Sequence, residues 1–531
     1  MSAVLVTTVS GPVSFPDLGM YTVPHPSVDL DVVQDGGFLF SELEESADFN
    51  SAQAAGLITV KWQKSLPSDD TSEERYYPVA YDQLENQLVV WGSEMTTMPL
   101  PLSSGGGSLP TNLFGAVPVS QLQTLLSSKH RFSTDDLQWL KRVVSGGTIT
   151  HTPNQSAVTL AVTAAASAQM THQTRKYIPY QGGKVQKIEL TWDLAGFSTN
   201  RFFEMGQFDD QNGVFLRVTG SPPELSCVVR DYVQGSVRNT VVPRTSWNVD
   251  KFDGTGPSGL TYSPGVTSDT TFNIANIQIQ VINYQWLAAG TVEFGFFIDS
   301  TYYPVHRAHH ANRIDRVYMS TACLPIRFSV YNTGAATGTG TLTKICSAVH
   351  SEGGSSIVDT EGVPFSKSNV PFNAIGGLSV PTGGNFRILQ ALKLKTTLGG
   401  QRNTAIVSAL SPWVNSLNRS VWYGVLYVPA ESLPTELGGG WTSVRGTSAV
   451  EYSNSLSLSG FTPGQTGAFL VYENSVDSTG SASQDMEKAM ASLQMSLNID
   501  GDESDRIYLM VQGLENNTTT AWGGWNWKEH Y

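Results

Sequence analysis

The run Gly254-Thr255-Gly256-Pro257-Ser258-Gly259 spells the GxGxxG pattern of a dinucleotide-binding loop. That loop works only where it opens a helix whose N-terminus holds pyrophosphate, and the residues that follow, Leu260-Thr261-Tyr262-Ser263-Pro264-Gly265, cannot start one. Asp253, Gly254, Gly256, Pro257 and Gly259 are therefore expected to form a structural turn. Asn248, Asp250 and Asp253 offer oxygens to a hard cation, but their spacing is not that of an EF-hand loop, and capping of turns is the expectation. His306, His309 and His310 are the only histidine cluster. On an extended strand His306 and His310 lie about 13 Å apart, so one metal ion reaches both only across a sharp turn; polar surface or interface is expected. Asp209 and Asp210 are adjacent and diverge on a strand, so they do not flank one glycosidic bond. Neither GxSxG nor HExxH occurs. The motifs predict no enzyme, no cofactor and no metal, although a carboxylate pair assembled from distant strands leaves no mark in one sequence.

Aromatic residues are the other functional material. Trp413, Trp422, Trp441, Trp522, Trp525 and Trp527 all fall in the C-terminal part. Trp522, Trp525 and Trp527 flank Gly523-Gly524 and are read as a subunit interface, with intrachain packing and a sugar-stacking shelf as the alternatives.

The elements that position these residues are mostly strands. The opening runs through Pro12, Pro16, Pro24 and Pro26 and reads as an extended arm; a short helix follows, capped by Ser41 with Glu44 three residues on. The spacing of Ser133 and Asp136 ahead of Leu137 to Val144 predicts a second helix, and a third is expected near Gln484 to Met495. Ser103 to Ser108 has a linker's composition. Strands are predicted at Leu57–Gln63, Phe208–Val218, Leu225–Asp231, Ile326–Tyr331, Leu342–Val349, Ile388–Thr396, Thr404–Leu410, Val421–Val428, Gly467–Tyr472 and Arg506–Gln512. The clearest hairpin is Ile277 to Ile298, where the alternating phase slips after Val281 as a β-bulge would write it.

The 531 residues carry 46 acidic and 32 basic side chains, a formal net charge of −14, and only 15% are charged. No positive stripe is present to release counterions, which excludes a nucleic-acid binder. The first 60 residues have no Lys or Arg but carry Asp17, Asp29, Asp31, Asp35, Glu42, Glu44, Glu45 and Asp48. They read as an acidic solvated tail, or as an arm that docks on a basic partner surface. No apolar run is long enough for membrane insertion by a helix, and no positive charge precedes an early apolar stretch, so synthesis in a host cytoplasm is expected. Cys227, Cys323 and Cys346 form no CxxC and are expected as reduced thiols inside β domains.

Several runs carry a family resemblance. Asn212-Gly213-Val214-Phe215, Trp247 through Gly259, Tyr284-Gln285-Trp286-Leu287, His309-His310-Ala311-Asn312, Thr321 through Ile326, Ile345-Cys346-Ser347 and Ser351-Glu352-Gly353-Gly354 resemble a β-sandwich module of tailed-bacteriophage virion structural proteins. The likeness extends more loosely through Val450-Glu451-Tyr452 to Trp525-Asn526-Trp527-Lys528-Glu529. Residues 18–57, with Pro24-His25-Pro26 and Asp29-Leu30-Asp31, resemble the start of phage proteins described as fibres. The resemblance implies a virion component (fibre, neck or tail appendage, or head-associated protein), with no defined catalytic site.

The combined expectation is a mainly β, multi-domain chain of β-sandwich or jelly-roll domains with a small α/β attachment region. It divides into an acidic arm with a short helix at 1–60, an attachment region and linker at 61–175, a jelly-roll-like sandwich at 176–360 and a β-rich domain at 361–531. The partners expected are other virion proteins, through the N-terminal arm, and two further copies in a homotrimer; the chain is placed in the virion. The alternatives are a receptor-binding or glycan-degrading appendage acting on a host surface glycan, and a capsid decoration protein.

Overall fold

Residues Gln186–Ala195 read QKIELTWDLA, and the alternation sets the local structure. Ile188, Leu190, Trp192 and Leu194 are buried, while Lys187, Glu189, Thr191 and Asp193 point outward, the period of two of a half-buried strand. Strands of this kind make up the chain. A computed structural model describes residues 122–352, 362–370, 377–380, 386–437, 440–454, 456–458, 467–477, 481–483, 494–515 and 517–531, and the backbone of short strands before residue 91. Two compact units divide it, Met1–Leu109 and Pro110–Tyr531. The fold is mainly β, with several sheets in sandwich arrangement.

In the first unit Ser2–Thr7 pairs antiparallel with Ile58–Gln63. The residues ahead of Pro12 thus form a strand, as the apolar, β-branched run Val4-Leu5-Val6 favours. The expected helix at 41–55 lies outside the described residues, as do the linker at 103–108 and most of the expected helix at 484–495.

The second unit holds two sandwiches. In the first, a seven-stranded sheet runs in the order Trp139–Val144, Gln169–Thr174, Ile326–Asn332, Arg201–Phe208, Gly213–Thr219, Glu224–Asp231, Arg238–Pro243. An eight-stranded sheet faces it, in the order Gly147–Thr152, Ala157–Val162, Gly340–Ser351, Gln186–Ala195, Gln278–Tyr284, Val292–Ile298, Thr301–Ala308, with Gln123–Lys129 added on Gly340–Ser351. Trp139, Trp192, Trp247, Phe203, Phe294 and Phe328 join one core between the sheets.

Three sequence expectations change here. The helix predicted at 133–144 is a single turn followed by a strand. Ser133 Oγ accepts from the Asp135 amide at 3.1 Å, and Asp135 sits at φ 61°, so the cap-like residues close a turn. Val143 and Val144 then pair with Met170 and Gln169. The stretch 123–174, read as attachment region and connector, belongs to the sandwich: five of its strands lie in the two sheets. The bulge expected after Val281 is absent, since Gln278–Tyr284 pairs with Val292–Ile298 without a shift. The phase slip arises because polar Gln280 faces inward, where its side chain accepts from Trp192 Nε1 at 2.8 Å and donates to the Met205 carbonyl at 3.0 Å.

The second sandwich stacks a five-stranded sheet built around Ile406–Leu417 and Thr519–His530 on a six-stranded one built around Arg387–Leu394, Arg506–Gly513 and Val421–Val428. It docks on the first through charge pairs. Arg175 donates to Asp505 at 3.0 Å and Glu431 at 2.9 Å, and Arg142 to Asp500 at 2.8 Å. Asp505 is fully buried and also accepts from the Ala430 amide and from the Ser496 amide and hydroxyl, at 2.8–2.9 Å.

One cation interrupts the first core. Alternation along Gly340–Ser351 turns Lys344 inward beside Leu342, and it is fully buried. Its Nζ lies 2.9 Å from the ring centroid of Trp139 and 5.2 Å from that of Phe328, and makes no hydrogen bond. His130 and His172 flank Trp139, with ring centroids 5.5 and 5.0 Å from it, and neither ring has a side-chain hydrogen-bond partner. Burial holds the Lys344 amine well below its usual range, against the pull of Asp135. Burial, reinforced by Lys344, drops His172 well below the usual imidazole value and His130 to about 3.

Candidate functional site

The two sheets of the first sandwich part at one side, where each ends in a hairpin. In the seven-stranded sheet the last pair sets Cys227 opposite Val242, Val229 opposite Thr240 and Asp231 opposite Arg238. Residues two apart share a face, so these six side chains turn toward the other sheet together. The cross-strand pair Asp231–Arg238 closes as an ion pair at 2.9 Å. In the eight-stranded sheet, Val292–Ile298 and Thr301–Ala308 set Phe294 opposite His306 and Val292 opposite Ala308. The register then skips Val305, a bulge whose carbonyl accepts from the amides of Val249 and Asp250 at 3.2 and 3.1 Å.

Residues 309–318 close one end. His310 Nδ1 bonds the Gly290 carbonyl at 2.7 Å, and the Tyr318 amide donates to Ala288 at 3.1 Å. Leu287 and Ala288 adopt positive φ in that supporting loop. The rings of His310 and Tyr318 stack with centroids 4.0 Å apart and 6° between planes.

The result is a cleft of about 620 Å³ with an apolar floor of Cys227, Val229, Val242 and Phe294. Its rim carries Arg238, Arg313, Arg316, Asp231 and Asp315. Arg316 clamps its neighbour Asp315 through two bonds of 2.9 and 3.0 Å. His306 is 7% exposed and its Nδ1 has no partner. Burial, with a smaller contribution from His309, lowers its pKa to about 4, and burial lowers His310 too. Both imidazoles are therefore neutral at pH 7; His306 offers one donor and one acceptor, whereas His310 spends its one N–H on the Gly290 carbonyl. A concave, largely apolar cleft of this volume with a few convergent polar groups is the form of a small-molecule or saccharide site.

The residues singled out in the sequence are placed as follows. His306 and His310 share the cleft, brought together by the turn after the bulged strand; His309 turns away to Thr291 Oγ1 at 3.1 Å. Among the described residues no cluster of three or more His, Cys, Asp or Glu could hold a metal ion. Asp250 accepts from the Phe252 and Ser258 amides at 2.8 Å each, and Asp253 from the Thr255 amide and hydroxyl. Gly254 and Gly259 take φ of +82° and +68°, and a Cβ on Gly256 would strike the Asp250 carboxylate at 2.3 Å, so these residues form a tight turn against Asp250 that includes Pro257. Asp209 caps the turn after Phe208, and Asp210 diverges to Arg142 and Arg327.

Trp525 and Trp527 are core residues, which corrects their reading as an interface. They share the inward face of Thr519–His530 with Ala521, and Trp527 Nε1 bonds Glu529 at 2.9 Å. Trp522 falls on the opposite face, half-buried. The thiols are free: Cys227 is buried, Cys323 half-buried and Cys346 exposed. Sequence reasoning missed Asp231, Arg238, Arg313 and Tyr318; their association depends on which strands end each sheet.

No protein-family model matches the chain, and no curated protein matches it. Its similarity is to solved structures. One is a glycoside hydrolase family protein from Mycobacterium thermorestibile, 10% identical, covering 42% of this chain and 99% of that one at a TM-score of 0.29. Another is the β-glucanase of Bacillus licheniformis, 8% identical, covering 43% and 99% at 0.26. A third is the CBM2 module of the evolved Dit of Lactobacillus casei BL23 phage J-1, 8% identical, covering 45% and 99% at 0.28. At these scores the likeness describes a β-sandwich build, and no role passes from those proteins to this one. The expectation of a chain that is not an enzyme is nevertheless overturned. Glycoside hydrolases recur among the structures it is similar to, and the missing motifs exclude nothing on a fold where distant strands can assemble carboxylates.

Proposed function

We propose that the chain is an appendage protein of a tailed-phage virion that binds a host-surface glycan in the cleft between the sheet edges. The observation that carries the binding role is the cleft itself: an apolar floor, polar groups on its rim, and a buried imidazole nitrogen left without a partner. The virion assignment is supported by the resemblance of residues 18–57 and of the sandwich runs to phage structural proteins. In this reading the N-terminal unit attaches to a basic surface of another virion protein, and three copies assemble. Thr240 stands on the exposed edge strand and lines the cleft. Thr240→Trp should fill the cleft from its rim and lower affinity for host surface polysaccharide at least tenfold in calorimetry, with an unchanged melting temperature. Wild-type affinity in this variant, or no binding of any host saccharide by the wild type, would sink the proposal.

The two-unit division supports a second expectation. Deletion of Met1–Leu109 should leave a cooperatively melting β protein that no longer enters particles. Normal incorporation of the shortened chain, read by mass spectrometry of purified virions, would show that attachment lies elsewhere.

A further inference from the structure

We infer that the sugar taken by this cleft is acidic, with its carboxylate on Arg313 and a hydroxyl on the His306 ring; the inference rests on the glycan reading above. Charge accounting in the cleft leads to it. Arg238 is engaged by Asp231 and Arg316 by Asp315, so those four charges cancel in place. Arg313 also lines the cleft, and its guanidinium has no ion-pair or hydrogen-bond partner among the described residues. The cleft therefore carries one uncompensated positive charge in a chain whose net charge is −14.

A guanidinium presents a planar fork that matches a carboxylate in two parallel bonds. One free fork balances one single negative charge. A phosphate monoester, with nearly two charges at neutral pH, would leave one uncompensated. His306 supplies the second recognition element. It is more than nine-tenths buried, and its Nδ1 is one of the polar atoms here without a partner. As a neutral ring it suits a sugar hydroxyl, which both donates and accepts. The floor of Val229, Val242 and Phe294 receives the apolar face of a pyranose, and the half-exposed His310 ring, backed by Tyr318, adds a flat wall.

The experiment is calorimetry of the full chain against oligogalacturonate, oligomannuronate and hyaluronan oligosaccharides. Each is compared with its carboxyl-reduced counterpart, and sulfated dextran is a further arm. The expected result is that at least one acidic form binds ten times or more tighter than its reduced form, and that added NaCl erodes the difference. Arg313→Gln should bring the acidic form down to the affinity of the reduced form and leave the reduced form unchanged. His306→Phe should weaken both forms by the same factor, because it removes a hydroxyl contact and not the charge.

Equal binding of acidic and reduced forms would overturn the acidic assignment while leaving glycan binding in place. Retention of the acid preference in Arg313→Gln would remove Arg313 from the role. Sulfated dextran competing as well as the uronate would show that charge alone is read, against a carboxylate site. If no saccharide bound in any arm, the glycan reading itself would fall.

Discussion

Lys344→Met should make the first sandwich more stable, by about 1–3 kcal/mol, the range for relieving one unsatisfied buried polar group. The amine lies in the core against Trp139 and Phe328 without a hydrogen bond, while a methionine of similar length fills the same space with no polar atom. The pH dependence identifies the cause. A lysine whose folded pKa is depressed binds more protons when unfolded, so its penalty is present at neutral pH and fades as pH rises toward the unfolded value of about 10.4. Wild-type stability should therefore climb between pH 8 and 10, and Lys344→Met should lose that climb. The two neighbouring histidines act at the acid end. Both are depressed in the fold, so the stability they contribute is complete above the unfolded value of about 6.5 and is lost as pH falls toward the folded value, about 3 for His130. Besides Lys344, the charges acting on this cluster are Lys141, His151 and Asp135. Urea titrations of both proteins across this pH range would decide; a less stable variant would mean that the contact of the amine with Trp139 outweighs its burial.

Arg175→Ala should be costly in the other direction, at about 3–5 kcal/mol, as when one member of a buried pair is removed. Asp505 would keep its bonds from Ala430 and Ser496 but lose its only cationic partner within 4 Å among the described residues, in a place where it has no exposure. Burial already raises the Asp505 carboxyl, and Arg175 is the largest influence opposing that rise. Arg175 also reaches Glu431, so one substitution removes both charge contacts that it makes from the first sandwich to the second. Scanning calorimetry should show the single transition of Pro110–Tyr531 splitting in two. A single transition at the wild-type temperature would show that the sandwiches stay docked without the contacts of Arg175.

The strands were legible in the sequence wherever inward positions are apolar. Val421–Val428 was read with its observed bounds, and Arg506–Gly513 to within a residue, because Val421 to Val428 and Ile507 to Val511 run without a polar side chain and are rich in β-branched and aromatic residues. Reading failed where a polar residue holds an inward position through a partner far along the chain. Gln280 looks like a solvent residue until Trp192, 88 positions away, supplies its hydrogen bond. Trp139 followed a convincing cap signal, and the signal was spent on a turn. The C-terminal tryptophans stood beside a glycine pair near the chain end and invited an interface reading, yet the parity of Trp525 and Trp527 with Ala521 already marked a common face. At the cleft, His306 and His310 were visible as a cluster. Asp231, Arg238 and Arg313 were not, because sheet order, and not spacing, brings an ion pair and a free cation to the same rim.

The bulge at Val305 has an effect beyond seating His306. Thr301–Ala308 and Arg238–Pro243 are terminal strands of their sheets, and an uninterrupted terminal strand offers its amides and carbonyls as a template for a neighbouring chain. Here Pro304 stands directly before the bulge and has no amide hydrogen to offer, the register breaks beside it, and Arg238 and Pro243 bound the other edge. The irregularity that seats His306 beside the cleft thus also leaves this edge a poor template for strand-to-strand aggregation.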